Sequence, residues 1–334
     1  MKILVVKLSA LGDVVQTLPS LSLFKKCLPS AEIDWVVDER NAGILKGHPL
    51  INKVIVFSKT YLKSFKSVRE FLRNLREKSY DFVLDYQGLL KSGIITGFAR
   101  GKKKVGFKNS RELSWIFYDT KLPPYDPEMH AVKRYLVLTK EVLKMCGVEV
   151  EVGEIPDVVW QEEFLKPRIW EGDYIVVVPG ARWKTKLWEL DYWEEFIKLF
   201  KAEFPEIKVV ISGSKSEIEI KKWAEYLEKG LKGVKSFVGR VDLKGLVNLL
   251  AYSKVVVTVD TGPMHIASAL KVPIVALFGP TSERRTGPWS PIQRVITSKV
   301  PCRPCFKKEC KEKVCMKKIK PKEVFKEVLK TFNS

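Results

Sequence analysis

Long hydrophobic runs are missing from this 334-residue chain. No stretch approaches the roughly 18–20 consecutive apolar residues that a membrane-spanning helix needs. The opening residues, Met1-Lys-Ile-Leu-Val-Val-Lys7, show no small-residue cleavage site after an apolar segment. They read as a first strand, and a cytoplasmic location is expected. The fingerprint G-x-G-x-x-G is also missing. The turn after that strand, Leu8 to Asp13, holds Gly12 alone, so a dinucleotide cofactor is not expected. No D-x-D-like pair stands at a strand end, so no catalytic metal is expected either. Internal repeats and low-complexity segments are absent.

Negative charge is in short supply. There are 39 acidic residues against 59 basic ones, a net charge of +20. Such an excess implies an anionic partner: nucleic acid, a phosphorylated substrate or an acidic membrane surface. The deficit is local as well, with 14 basic and 4 acidic residues from Lys59 to Arg111. A heat-adapted surface rich in Lys and Glu explains many charges but not that imbalance. A non-catalytic nucleic-acid-binding protein would carry aromatic-interleaved basic patches or a recognition helix, and neither is found.

What the chain does have is apolar content of 46%, enough for a full core, and length for two domains. Its centre of organisation is Lys254 to Leu270. Val255 to Val259 is a β-branched run suited to a parallel sheet covered on both faces. Asp260, Thr261 and Gly262 break it, and Pro263 suits a helix start capped by Thr261 or Asp260. A second strand, Val272 to Phe278, follows. A helix N-terminus at the carboxyl edge of a parallel sheet is a place for phosphate, because its free N–H groups and dipole favour an anion.

The same strand-turn-helix pattern recurs along the chain. Ile3 to Lys7 leads into a helix ending near Cys27, with Asp13 just beyond the strand. Strands at Glu32–Val37 and Val54–Phe57 precede a basic amphipathic segment, Tyr61 to Lys78. Phe82–Asp85 ends in Tyr86-Gln-Gly-Leu-Leu-Lys91-Ser92, and Lys102 to Lys104, Lys108 and Arg111 read as loop. A helix spans His130 to Cys146, and residues 151–165 read as a linker. Tyr174 to Val178 restarts the pattern, with Pro179 to Trp188, Gly213 to Glu217 and Asp260 to His265 at successive strand ends. The expected fold class is α/β, with two Rossmann-like domains facing a central cleft: 1–155, 156–320 and a terminal helix, 321–334.

A nucleoside diphosphate needs a cation, N–H donors and a ribose acceptor. Lys186 or Lys184, the Thr261–Gly262 amides and Glu217 supply these in the second unit, while Asp13 stands as a base, or a helix cap, in the first. A base on one domain and an activated nucleotide on the other suit group transfer to a hydroxyl.

Four segments, in order, carry a family resemblance: Val5 to Pro19 (V-V-K-L-S-A-L-G-D-V-V-Q-T-L-P), Asp85 to Ser92 (D-Y-Q-G-L-L-K-S), Lys186-Leu-Trp188, and Asp260-Thr-Gly-Pro-Met-His265. Together the chain resembles the lipopolysaccharide heptosyltransferases of glycosyltransferase family 9. The second segment, with Ser110-Arg-Glu and His130-Ala-Val-x-Arg134, is most similar to their type I branch. The resemblance implies a GT-B fold with the C-terminal helix packing back toward the N-terminal domain. It also implies inverting, metal-independent transfer of heptose from ADP-heptose to the Kdo of Kdo₂-lipid A. Heptosyltransferase II, or another sugar transferase of the family, is the alternative. By the same resemblance Asp13 is the base and Lys186 contacts the donor phosphates. Asp260 holds the heptose, Thr261, Gly262 and His265 surround the diphosphate, Glu217 binds ribose and Val241 lies beside adenine. Ser9, Gln87, Lys91 and Arg111 fall on the acceptor side, with an anionic inner-membrane surface as further partner. Here the loop Gly180-Ala-Arg182-Trp lacks the paired threonines of type I enzymes, and Arg182 is expected to take over.

Four of the six cysteines lie at Cys302, Cys305, Cys310 and Cys315. The spacing suits a structural zinc ion or two disulfides, forming a clip remote from the chemistry, and free thiols are the third reading left open.

Overall fold

Strands apolar along their whole length need cover on both faces, and this chain meets that need twice. A computed structural model describes every residue except Lys59, Leu62, Lys63, Val152, Asn333 and Ser334. It forms two compact units, Met1–Gln161 and Glu162–Ser334.

The first unit runs β1 (Lys2–Val6), α1 (Leu11–Cys27), β2 (Glu32–Asp38), β3 (Lys53–Phe57), α2 (Phe65–Leu75), β4 (Tyr80–Asp85), α3 (Leu90–Phe98), β5 (Gly101–Phe107), β6 (Thr120–Leu122) and α4 (Ala131–Met145). Its sheet is parallel, in the order β3-β2-β1-β4-β5-β6.

The second unit runs α5 (Glu162–Leu165), β7 (Tyr174–Val178), α6 (Leu190–Glu203), β8 (Lys208–Ile211), α7 (Ile218–Gly230), β9 (Val234–Ser236) and α8 (Leu243–Ala251). It continues with β10 (Val256–Val259), α9 (Gly262–Ala269), β11 (Ile274–Phe278), α10 (Glu283–Thr286), β12 (Gln293–Thr297), α11 (Val314–Lys317) and α12 (Pro321–Phe332). Its order, β12-β11-β10-β7-β8-β9, is the same doubly wound plan. In each sheet the first strand therefore pairs with the fourth, β1 with β4 and β7 with β10. The direction of winding reverses across those pairs, and the loops after them diverge to leave a crevice at the carboxyl edge.

Several expectations change. The division falls after Gln161, not near 155, because Gln161 Nε2 donates to the carbonyls of Ile44 and Lys46 at 3.1 and 3.0 Å. Lys102 to Lys104 are not loop but part of β5, with Lys102 bonded to Asp81 at 2.8 Å. The terminal helix packs within the second unit, on α6, β11 and β12. Val324 and Val328 of α12 are fully buried, and Phe332 stacks on Phe204 at 5.2 Å. Lys59, at the head of the basic stretch, lies outside the described residues, as do Leu62 and Lys63 within the amphipathic segment. Among the described residues, no helix is long and apolar enough to cross a membrane.

The second core centres on aromatic packing. Trp193 is fully buried, edge-on to Trp188 at 4.8 Å and to Phe196 at 6.3 Å. Replacing Trp193 with alanine empties that space and should cost about 3–5 kcal/mol. The urea midpoint of the second unit's transition should fall accordingly, and an unchanged midpoint would contradict this packing.

Candidate active site

Two clusters of charge form where the crossover geometry opens the sheets. In the first unit the residue after β1 is Lys7, only 2% exposed. An ammonium is retained at such depth only with partners. Its Nζ donates to the Tyr135 hydroxyl at 2.7 Å and to the Tyr86 carbonyl at 3.0 Å, and lies 3.6 Å from Asp13 Oδ1. Tyr135 in turn donates to Asp13 Oδ1 at 3.0 Å, so a directional chain runs from ammonium through phenol to carboxylate. Burial and the Asp13 charge push the Tyr135 phenol above its ordinary range, which keeps it a donor. Asp13 sits in the first turn of α1, where its Oδ2 accepts from the Ala10 amide at 3.0 Å. It is thus a helix cap and a half-exposed carboxylate at once, its side chain 40% accessible.

Gln87, after β4, uses its side-chain oxygen to accept from the Leu8 and Ser9 amides at 3.2 and 3.1 Å. Gln87 therefore braces the β1 turn. The wider D-x-Q-G-L-x-K-S segment is organised by Asp85. That buried carboxylate accepts from the Gln87 and Gly88 amides, the Ser92 hydroxyl and the Tyr118 phenol, at 2.7–2.9 Å. Burial pushes Asp85 above the usual carboxylate range, against those four bonds. Arg111 is exposed, its amide donating to the Gly88 carbonyl at 3.0 Å, so it joins this turn. Lys91 points elsewhere, over the Phe57 ring at 3.9 Å and 3.9 Å from Asp38.

In the second unit the loop after β7 meets the loop after β10. Lys186 Nζ donates to Asp260 Oδ2 at 2.6 Å, with the lysine 17% and the aspartate 5% exposed. The Thr281 hydroxyl, after β11, reaches the same oxygen at 2.7 Å. Both bonds fall on Oδ2. Lys186 also lies 4.8 Å from the Trp183 ring centroid. Thr261 is the N-cap of α9 in extended conformation, with no side-chain cap bond, and Gly262 opens the helix.

Glu217 precedes α7, where its Oε2 accepts from the Ser214 amide at 2.7 Å. It occupies space that glycines leave open at the ends of two strands. A Cβ at Gly180 would collide with its carboxylate, and one at Gly213 would lie 2.9 Å from Oε2. Burial raises its pKa. Arg182 is exposed on the neighbouring loop, and Val241 is half-buried against Gly245 before α8. His265 is buried and stacks on Trp289 at 6.0 Å, a packing role first of all.

The structure thus assembles Lys186 with Asp260 and Thr261 with Gly262, and Ser9 with Gln87. Lys91 lies over Phe57 beside Asp38, and His265 lies on Trp289. Sequence reasoning missed Lys7, Tyr135, Thr281 and Arg303. Arg303 anchors the loop after β11, donating to the Gly279 and Thr281 carbonyls and pairing with Glu283 at 2.7 Å. Lysine directly after a buried strand was the available signal for Lys7. All four thiols are free of disulfides in this structure, with Cys302 and Cys310 exposed and Cys315 buried. Among the described residues no group of three or more His, Cys, Asp or Glu is arranged to hold a metal. Backbone bonds from Cys305 and Phe306 to the Pro280 carbonyl hold the segment.

Two doubly wound units with a braced carboxylate in one and a lysine–aspartate pair beside a helix N-terminus in the other define a GT-B glycosyltransferase. The sequence profile of glycosyltransferase family 9 (heptosyltransferase) matches residues 68–316, and the chain belongs to that family. Lipopolysaccharide heptosyltransferase 1 of Pseudomonas aeruginosa is 33% identical over 324 residues, spanning 93% of this chain and 87% of that protein. The E. coli heptosyltransferase WaaC, solved with ADP, superposes with a TM-score of 0.84 at 28% identity, over 99% of this chain and all of that one. The E. coli ADP-heptose LPS heptosyltransferase II gives 0.78 at 25%, over 100% and 99%.

Lys7→Met removes the ammonium behind Asp13 and Tyr135. The kcat should fall about tenfold or more, with ADP binding retained. Protonation of the neighbouring carboxylate becomes easier without that charge, so the acid limb of kcat/KM should move to higher pH. A profile unmoved in shape and height would deny Lys7 this role. Lys186→Ala leaves Asp260 buried beside Thr281 alone. Isothermal titration should record weaker ADP binding, and the melting temperature should drop by the equivalent of about 3–5 kcal/mol.

Proposed function

We propose that this protein transfers L-glycero-D-manno-heptose from ADP-heptose to the inner-core Kdo of Kdo₂-lipid A, with inversion at the heptose anomeric carbon. The observation that carries the reading is the Lys186–Asp260 pair at the β7–β10 crevice beside the N-terminus of α9. A cation and unpaired amides suit a leaving diphosphate, and a carboxylate with one spare oxygen suits a polyol. Likeness to heptosyltransferase 1, and to a WaaC structure holding ADP-2-deoxy-2-fluoro heptose, supports the donor.

In the proposed step Asp13 takes the proton of the acceptor hydroxyl. The oxygen attacks the anomeric carbon, the bond from that carbon to the β-phosphate oxygen breaks, and ADP leaves with the electron pair. One displacement inverts the centre. Lys7 and Tyr135 hold Asp13 as acceptor of that proton. Lys186 and the amides of α9 take up charge on the departing diphosphate, so the step is proposed to run without a metal. Arg182 and Glu217 are assigned to the nucleotide, Val241 to the adenine side, and Gln87 with Arg111 to the acceptor side. The acceptor is a lipid, and we place the enzyme at the cytoplasmic face of the inner membrane.

The test is incubation with ADP-heptose and Kdo₂-lipid A in EDTA, followed by mass spectrometry of the acceptor. A gain of one heptose is expected, and Asp13→Asn should lower the rate by about 10²–10⁴ while ADP still binds. Turnover only on heptosyl-Kdo₂-lipid A would move the assignment to heptosyltransferase II. Turnover abolished by EDTA and restored by a divalent ion would overturn the metal-free step.

A further inference from the structure

Among the exposed large apolar side chains of the first unit, five lie on α3 and the turn packed against it. Leu90, Ile94 and Phe98 of α3 are 43%, 39% and 50% exposed. At four-residue spacing they share one helix face. Leu113 and Ile116, 60% and 57% exposed, lie on and just before the 3₁₀ turn Ser114–Phe117. Two glycines let that turn lie against α3. A Cβ at Gly93 would come within 2.9 Å of Ser114, and one at Gly97 within 2.6 Å of the Phe117 ring. The turn therefore extends the apolar stripe sideways. None of these five residues belongs to either charged cluster.

Cationic side chains lie beside the stripe. From Leu90 to Lys121 the chain carries eight basic and two acidic residues, a net charge of +6. Lys104 lies along α3, its Nζ on the Gly97 carbonyl at 2.7 Å, and Lys121 sits 5.0 Å from the Trp115 ring centroid. A second copy of this chain would set that charge against itself. A bilayer with anionic headgroups complements both parts, taking apolar side chains at the acyl boundary and cations among the phosphates.

We propose that this face of α3 docks on an anionic lipid surface, with Leu90, Ile94, Phe98 and Ile116 at the headgroup–acyl boundary. Gly88, whose carbonyl holds Arg111, lies just ahead of α3, so docking brings the assigned acceptor turn to the lipid. The inference deepens the reading of a lipid-linked acceptor, and its test needs no acceptor.

Flotation of the full chain with phosphatidylcholine vesicles, with or without phosphatidylglycerol, measures it. Binding is expected only to the anionic vesicles, and it should weaken as salt rises. The triple substitution Ile94→Gln, Phe98→Gln, Ile116→Gln should weaken binding about tenfold or more, with ADP affinity and turnover on detergent-dispersed acceptor retained. A charge variant, Arg100→Glu with Lys121→Glu, leaves the stripe in place and should lose binding too. Unchanged flotation of both variants, or no flotation of the parent protein, would overturn the proposal. So would a parent dimer in the ultracentrifuge that the triple variant converts to monomer. Vesicle binding without any transfer would sink the acceptor reading alone, and transfer in detergent without vesicle binding would sink this one alone.

Discussion

Parallel pairing of the first strand with the fourth, β1 with β4 and β7 with β10, is the constraint on which both sites rest. A right-handed crossover sends successive helices to one face until the chain returns past its first strand. The loops that part there cannot fill the gap between them, and polar groups can enter it without displacing core. The parallel with function is close. Each unit places a lysine in the loop after its first strand and sets it against an aspartate. In the first unit that is Lys7 with Asp13, and in the second Lys186 with Asp260.

The two pairs are tuned differently. Lys7 is sealed in, and its contact with Asp13 is reinforced through a phenol that accepts from one and donates to the other. Asp13 remains half in solvent, where an incoming hydroxyl meets it. In the second unit the aspartate is the sealed member, and the lysine is the more accessible one. In the proposed reaction the accessible partner is thus anionic where a proton is taken and cationic where a diphosphate is released. Burial on one side holds the charge in place, and exposure on the other lets substrate reach it.

Much of this was legible because apolar runs and strand ends are local signals. The bounds of β7 and α12 follow from Tyr-Ile-Val-Val-Val and from a proline-led amphipathic repeat. Strand-end reasoning also reached Asp13, Lys186, Asp260 and Glu217. Edge strands escaped it. β12, Gln-Arg-Val-Ile-Thr, is half polar, and β6 has three residues, so neither stands out from loop. The lysines of β5 read as loop because charge hid a strand whose ladder is made by backbone. Tyr135 lies 122 residues from Asp13, and no local pattern joins them. The cysteine spacing left disulfides, zinc and free thiols open, and hydrogen bonds to Pro280 and from Arg303 tie that segment to the loop after β11.

The loop that carries Lys186 is tethered from far along the chain. Thr185 donates to the Lys307 carbonyl, Trp188 to the Ile319 carbonyl, and Lys313 pairs with Glu189. Translation therefore makes this loop long before its anchors. A ribosome-bound chain that has finished β7 and β10 still lacks the groups that fix the lysine loop. The second unit gains these anchors only when residues 307–319 have emerged and wrapped back.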